Sequence, residues 1–262
     1  MAKHLFAALP PAAVVWLRLL TSAAVLLVFV RPRLRGRTRA DWLVAVGFGL
    51  CLAFMNFAIY QSFARIPLGV AVTIEFLGPL AVSVIGSRRK LDLVWVLLAG
   101  AGVLLLARGD GDIDIVGVLF ALAAGACWAG YILLSAATGQ RFSGQSGLAI
   151  ASAVGVVVIA PMGVASGGAD LLRPELLLLG LGVGLMSSVI PYSLEMEALR
   201  KVPPRVFGVL MSLEPAAAAL VGMVVLGELL SGRQWVAVAC VIVASIGATR
   251  TASADSRRPP EV

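Results

Sequence analysis

Apolar residues run along this chain in nine blocks, separated by short polar stretches in which arginine recurs. A spanning helix needs about 20 apolar residues. The blocks at 11–30, 42–62, 66–86, 91–107, 114–139, 147–166, 174–199, 203–226 and 232–249 meet that length within a few residues. They are apolar all round and rich in Gly and Ala, which predicts closely packed helices; the strands of a β-barrel would alternate instead. The expected fold class is an all-α polytopic membrane protein.

Composition strengthens that reading. The chain is 60% hydrophobic and 13% charged, with a mean hydropathy of +0.99, whereas an ordinary soluble domain is about 25% charged. The sequence pI near 10 does not point to nucleic acid, because the basic residues fall in the loops. Of the 21 Lys and Arg residues, 15 lie on one parity of loops: Arg31 to Arg39, Arg88 to Lys90, Arg141, Arg200 to Arg205, and the tail from Arg250. Lys3, Arg65, Arg108, Arg173 and Arg233 lie on the other, and Arg18 alone falls inside a block. The positive-inside rule then puts the C-terminus in the cytoplasm and the N-terminus outside. The acidic loop of Asp110, Asp112 and Asp114 faces outward in this arrangement. The first block is long for a signal core and runs into arginines rather than a cleavage site.

Cys51, Cys127 and Cys240 each stand alone in a different block, and read as packing residues. His4, the only histidine, lies outside every block. No metal or other cofactor is expected, and His-dependent catalysis in the membrane is disfavoured.

The candidate chemistry lies in the few polar residues of the blocks. Glu75 and Glu214 sit near the middle of theirs, where a carboxylate costs at least ~2.5–3.5 kcal/mol to insert. Pro215 follows Glu214, and Gly78 and Pro79 follow Glu75; proline frees a backbone carbonyl one turn earlier and places polar backbone near the carboxylate. Arg18 lies about eight residues into its block and needs a partner. A fixed pair with a membrane carboxylate, an interfacial reach to headgroups and a seat for a substrate carboxylate all remain open. Glu195, just after Tyr192, is a candidate for a cytoplasmic-side gate or ion site, while Glu197 is near enough to the helix end to reach water. Asn56 and Tyr60 share one helix face, as do Trp128 and Tyr131, and these four are candidates for a polar lining. Ser187, Ser188 and Ser193 read as helix–helix hydrogen-bonding residues.

An internal repeat links the two glutamates. Glu75 is followed by Gly86 and Trp95, and Glu214 by Gly227 and Trp235, at an offset of about 140 residues. The two glutamates lie on helices of opposite direction, so the halves 1–108 and 109–250 are expected to be inverted, with 251–262 a disordered cytoplasmic tail. Inverted repeats with Pro/Gly-interrupted helices at matching positions point to a transporter's midplane site. A five-plus-five repeat calls for one more helix ahead of Pro11, so nine helices are expected here, with the first of ten missing.

Four phrases carry a family resemblance: IPLGVAVTIEFLGPL (66–80), GACWAGYI (125–132), PYSLEM (191–196) and FGVLMSLEPA (207–216). With them the chain resembles the EamA-type branch of the drug/metabolite transporter superfamily, over nearly all its length. The resemblance implies two inverted five-helix halves around a central cavity. It also implies proton-driven export of small amino acids, of the threonine and homoserine kind, across a bacterial inner membrane. Glu197 stands where the family pattern has an apolar residue. The partners implied are a small amino acid, protons and lipid, with a homodimer left open and no nucleic acid. An EamA-type transporter of another small metabolite or drug is the alternative, and an enzyme is not expected.

Overall fold

The computed structural model describes residues 9–32, 34–84, 90–107, 114–191, 194 and 211–255, and every regular element among them is helical. The α-helices are α1 (Pro11–Val30), α2 (Arg39–Phe63), α3 (Leu68–Glu75), α4 (Leu77–Val84), α5 (Lys90–Ala107), α6 (Ile115–Arg141), α7 (Ser146–Gly167), α8 (Pro174–Gly184), α9 (Glu214–Leu226) and α10 (Gly232–Asp255). A 3-10 turn (Gly168–Leu172) leads into α8, and a π-turn (Leu185–Val189) follows it. Because α3 and α4 divide one apolar block, nine membrane-spanning segments appear among the described residues, five of them long.

Local sequence explains the ends. Pro11 and Pro174 open α1 and α8, where a missing N–H costs nothing. Thr38 and Asp41 form a reciprocal capping box on α2, at 3.2 and 3.0 Å. Gly227 closes α9 at φ 68°, a conformation that suits glycine. The α10 helix continues to Asp255, five residues into the stretch expected as tail.

The block at 66–86 differs from a single continuous helix. Phe76 interrupts it, with α3 ending at Glu75 and α4 beginning at Leu77. Pro79 has no N–H to offer the Glu75 carbonyl four residues earlier. The Gly78 backbone also lies against Gly125 of α6, so closely that a Cβ on Gly78 would collide with the Gly125 carbonyl.

The helices cluster into two compact units, residues 1–64 with 127–196, and residues 65–126 with 197–262. In the first, α7 packs along α1 and α2, and α8 packs on α1. In the second, α10 packs along α5 and α4, and α9 along α3. Each unit therefore draws helices from both halves of the sequence. The exposed surface is largely apolar, as lipid contact requires: Leu93 and Leu97 on α5, Leu178 and Leu181 on α8, and Val221, Val224 and Val225 on α9 are all exposed.

Candidate functional site

The first unit centres its polar chemistry on Arg18. Seven residues of helix carry it about 10 Å in from the start of α1, and its side chain is only 8% exposed. The guanidinium donates through Nε to Ser188 Oγ at 2.7 Å, through Nη2 to the Ser187 carbonyl at 2.8 Å, and through Nη1 to Tyr60 Oη at 3.2 Å. Hydrogen bonds to a charged group contribute about 1.5–3 kcal/mol each, enough in sum to offset the ~2.5–3.5 kcal/mol of placing arginine in a bilayer. These three bonds go to hydroxyl and carbonyl oxygens.

The Ser187 carbonyl is available for a reason written in the chain. The residue four positions on is Pro191, which has no N–H to give it. The π-turn over Leu185–Val189 widens the helix at the same place, and π-turns gather at functional sites. Close packing brings α1 within reach: a Cβ on Gly180 would lie 3.0 Å from Leu17 Cβ, and one on Gly184 would lie 2.5 Å from Thr21 Cβ.

The second unit holds the two central glutamates. Glu75 is the last residue of α3 and 8% exposed. Glu214 is the first residue of α9, after a break at Ser212 and Leu213, and its side chain is exposed. Pro215 denies a donor to the Met211 carbonyl, as Pro79 does to that of Glu75. Ser212 Oγ lies 2.9 Å from Ser245 Oγ and ties the break to α10.

The helices α3 and α9 are antiparallel neighbours. A Cβ on Gly69 would lie 2.6 Å from Ala219 Cα, and Leu68 meets Gly222 and Glu228 farther along. From the Gly69–Ala219 contact, six residues lead to Glu75 and five to Glu214, a rise of about 9 Å and about 7.5 Å in the same direction. Both glutamates thus stand at nearly one level on adjacent helices, each at a helix interruption.

The other expected site residues divide. Tyr60 is buried and joins Arg18. Asn56 is buried too, but its Nδ2 donates to the Leu52 carbonyl of its own helix at 2.7 Å. Tyr131 is half-buried with its ring 5.0 Å from that of Phe48, and Trp128 is half-buried one turn earlier. Tyr192, Glu195 and Glu197 lie outside the described residues. Ser188, expected as a helix–helix hydrogen-bonding residue, makes such a bond to a residue 170 positions away, though nothing local marks that partner. The sequence reading passed over one residue. Asp92, 3% exposed, lies in the first turn of α5, where a helix dipole favours an acid.

A bundle of apolar helices with ionisable groups at interrupted mid-helix positions defines a multi-pass membrane protein of transporter type. Comparison with known proteins agrees, since the EamA-like transporter family matches residues 115–250. The threonine/homoserine exporter RhtA of Salmonella typhimurium is 41% identical over 268 residues, covering all of this chain and 88% of that protein. RhtA of Escherichia coli K12 is 40% identical over 263 residues, covering 98% and 88%. The chain belongs to the EamA-like transporter family. An uncharacterized transporter of Bacillus subtilis, YwfM, is 31% identical over 56% of this chain and 49% of its own. A solved crystal structure matches with a TM-score of 0.63 at 21% identity, over 97% of this chain and 92% of the other, a likeness of fold alone.

Proposed function

We propose that this protein exports a small amino acid of the threonine and homoserine kind across a bacterial inner membrane, in exchange for protons, by alternating access. The 40–41% identical relatives are threonine/homoserine exporters, which supports the cargo. The coupling reading rests on one observation, the common level of Glu75 and Glu214 at two helix interruptions of neighbouring antiparallel helices. A carboxylate withdrawn from water favours its neutral form, so it can take a proton on one side and give it up where water or a cationic ammonium reaches it. The two glutamates are then the proton carriers or the ammonium partners, and protons moving inward drive the amino acid outward. The bias of arginines across the loops puts the C-terminus in the cytoplasm, and the halves 1–108 and 109–250 form the inverted repeat that exchanges access.

The test is purified full-length protein in liposomes with an acidic lumen and labelled threonine outside. Accumulation that collapses with the proton gradient, and that homoserine competes, is expected. Competition by an unrelated drug or metabolite but not by amino acids would replace this cargo with the alternative one. Threonine exchange insensitive to the gradient would remove the proton from the scheme.

A further inference from the structure

We infer that the loop between α1 and α2 is a seat for the phosphodiester headgroup of an anionic phospholipid, formed by Arg31, Arg35 and Arg39. The loop runs over residues 31–38, between the last residue of α1 and the first of α2. With the first turn of α2 it reads RPRLRGRTRAD (31–41), five arginines against one carboxylate, Asp41. That carboxylate is already engaged: it accepts the Thr38 N–H at 3.0 Å and lies 3.5 Å from Arg141 Nε. Arg37 is engaged too. It donates through Nη1 to the Arg141 carbonyl at 2.7 Å, and its Cζ lies 4.7 Å from the centre of the Phe142 ring. Phe142 is buried with Ala45 and Ile150, so Arg37 fastens the loop to the end of the first unit. Gly36 turns the chain at φ 80° between that inward arginine and Arg35. Arg31, Arg35 and Arg39 are all exposed on the fastened loop.

The apolar neighbours decide which phosphate-bearing partner fits. Val28 and Phe29, 62% and 82% exposed, end α1 beside Arg31, while Leu34 lies in the loop at 51% and Leu43 early in α2 at 74%. Exposed apolar side chains among exposed arginines suit the depth where acyl chains meet headgroups. A free phosphate or a nucleic acid would engage the cations and leave those side chains in water. The loop is also short and joins two helices long enough to span, so its cations stay close to the bilayer surface. Guanidinium forks take phosphate oxygens in pairs, and basic clusters directly beside a spanning helix draw anionic lipid. One arginine of the loop thus holds it in place, and three display their charge at headgroup level.

The experiment reads the lipid retained by the full chain in a neutral detergent, by native mass spectrometry, with phosphatidylglycerol and phosphatidylcholine competing at equal concentration. Wild-type protein is expected to retain phosphatidylglycerol in preference, less so as ionic strength rises. Arg31→Gln, Arg35→Gln and Arg39→Gln should each reduce the preference roughly fivefold, and the triple variant on the order of 100-fold. The single variants carry the test if the triple one fails to insert. Arg173→Gln is the control: it removes the same charge from an exposed arginine that pairs with Asp170 at 2.9 Å, and the preference should hold. Equal retention of the two lipids by wild-type protein overturns the inference. A loss in Arg173→Gln as large as in Arg35→Gln also overturns it, and makes net charge the cause. Displacement of phosphatidylglycerol by equimolar inorganic phosphate, or by an RNA oligonucleotide, overturns the lipid assignment, because the acyl chains would then contribute nothing.

Discussion

In the unit built on α1, the buried charge among the described residues is a guanidinium that donates to Ser188, Ser187 and Tyr60. In the unit built on α3 and α9, the charges belong to carboxylates at helix interruptions, Glu75 buried and Glu214 exposed. Both units use proline to free a carbonyl one turn earlier, Pro191 in the first and Pro79 and Pro215 in the second. They differ in the charge they hold. The guanidinium ties α1 to α2 and to the turn after α8. A carboxylate suits coupling, because loading and unloading a proton alters what it attracts.

The comparison breaks if substitutions in the two units give one phenotype. Glu214→Gln and Glu75→Gln remove a titratable site while keeping shape. Each is expected to abolish gradient-driven accumulation of threonine while the protein still inserts and still exchanges threonine at equal pH. Full accumulation by Glu214→Gln would sink its role as a proton carrier. Should Glu75→Gln alone lose coupling, the buried carboxylate of the pair would be the carrier and the exposed one an ammonium partner.

A smaller effect tests the helix interruption itself. Gly78→Val sets a branched side chain against the Gly125 carbonyl, and overpacking of this kind costs about 1–3 kcal/mol or more. The thermal unfolding midpoint of the purified protein should fall well below wild type. Gly100→Val is the control, because nothing lies within 4 Å of its Cβ direction. Equal stability of the two variants would show that the Gly78–Gly125 contact does not hold the break. In the first unit, Gly184→Val presses on Thr21 and should lower the unfolding midpoint in the same way.

Much of this was legible in the chain. The nine spans followed from block length, and α1 began and ended where its block did. Glu75, Glu214 and Arg18 stood out because an ionisable residue in an apolar block must be accommodated by something. Pro79 and Pro215 marked helix irregularity, since a missing N–H is a covalent fact that does not depend on the fold. Pairings between helices were not legible. The bond from Arg18 to Ser188 crosses 170 residues, and a serine in an apolar helix bonds its own backbone as readily as a neighbour, as Ser187 Oγ does to the Val183 carbonyl. The contact of Gly69 with Ala219, which sets both glutamates at one level, involves two of the commonest residues in such helices and carries no sequence signal of its own.

The smallest predicted effect concerns how the two units cap their helices. Thr38 caps α2 from the adjacent residue, as a local capping box. The first turn of α3 is capped from afar, by Glu228, whose carboxylate accepts the Leu68 N–H at 2.7 Å across 160 residues. Loss of either cap should cost about 1 kcal/mol, measured by thermal unfolding of Thr38→Ala and Glu228→Ala. The two should separate in transport, because Glu228 joins the loop after α9 to the start of the helix that ends in Glu75. Glu228→Ala should then loosen coupling, read as more proton leak for each threonine moved, while Thr38→Ala leaves that ratio unchanged. Glu228→Gln keeps an acceptor oxygen for Leu68 and should restore most of the stability. If Gln restores stability but not coupling, the charge of Glu228 matters beyond the cap and belongs with the carboxylates of its unit.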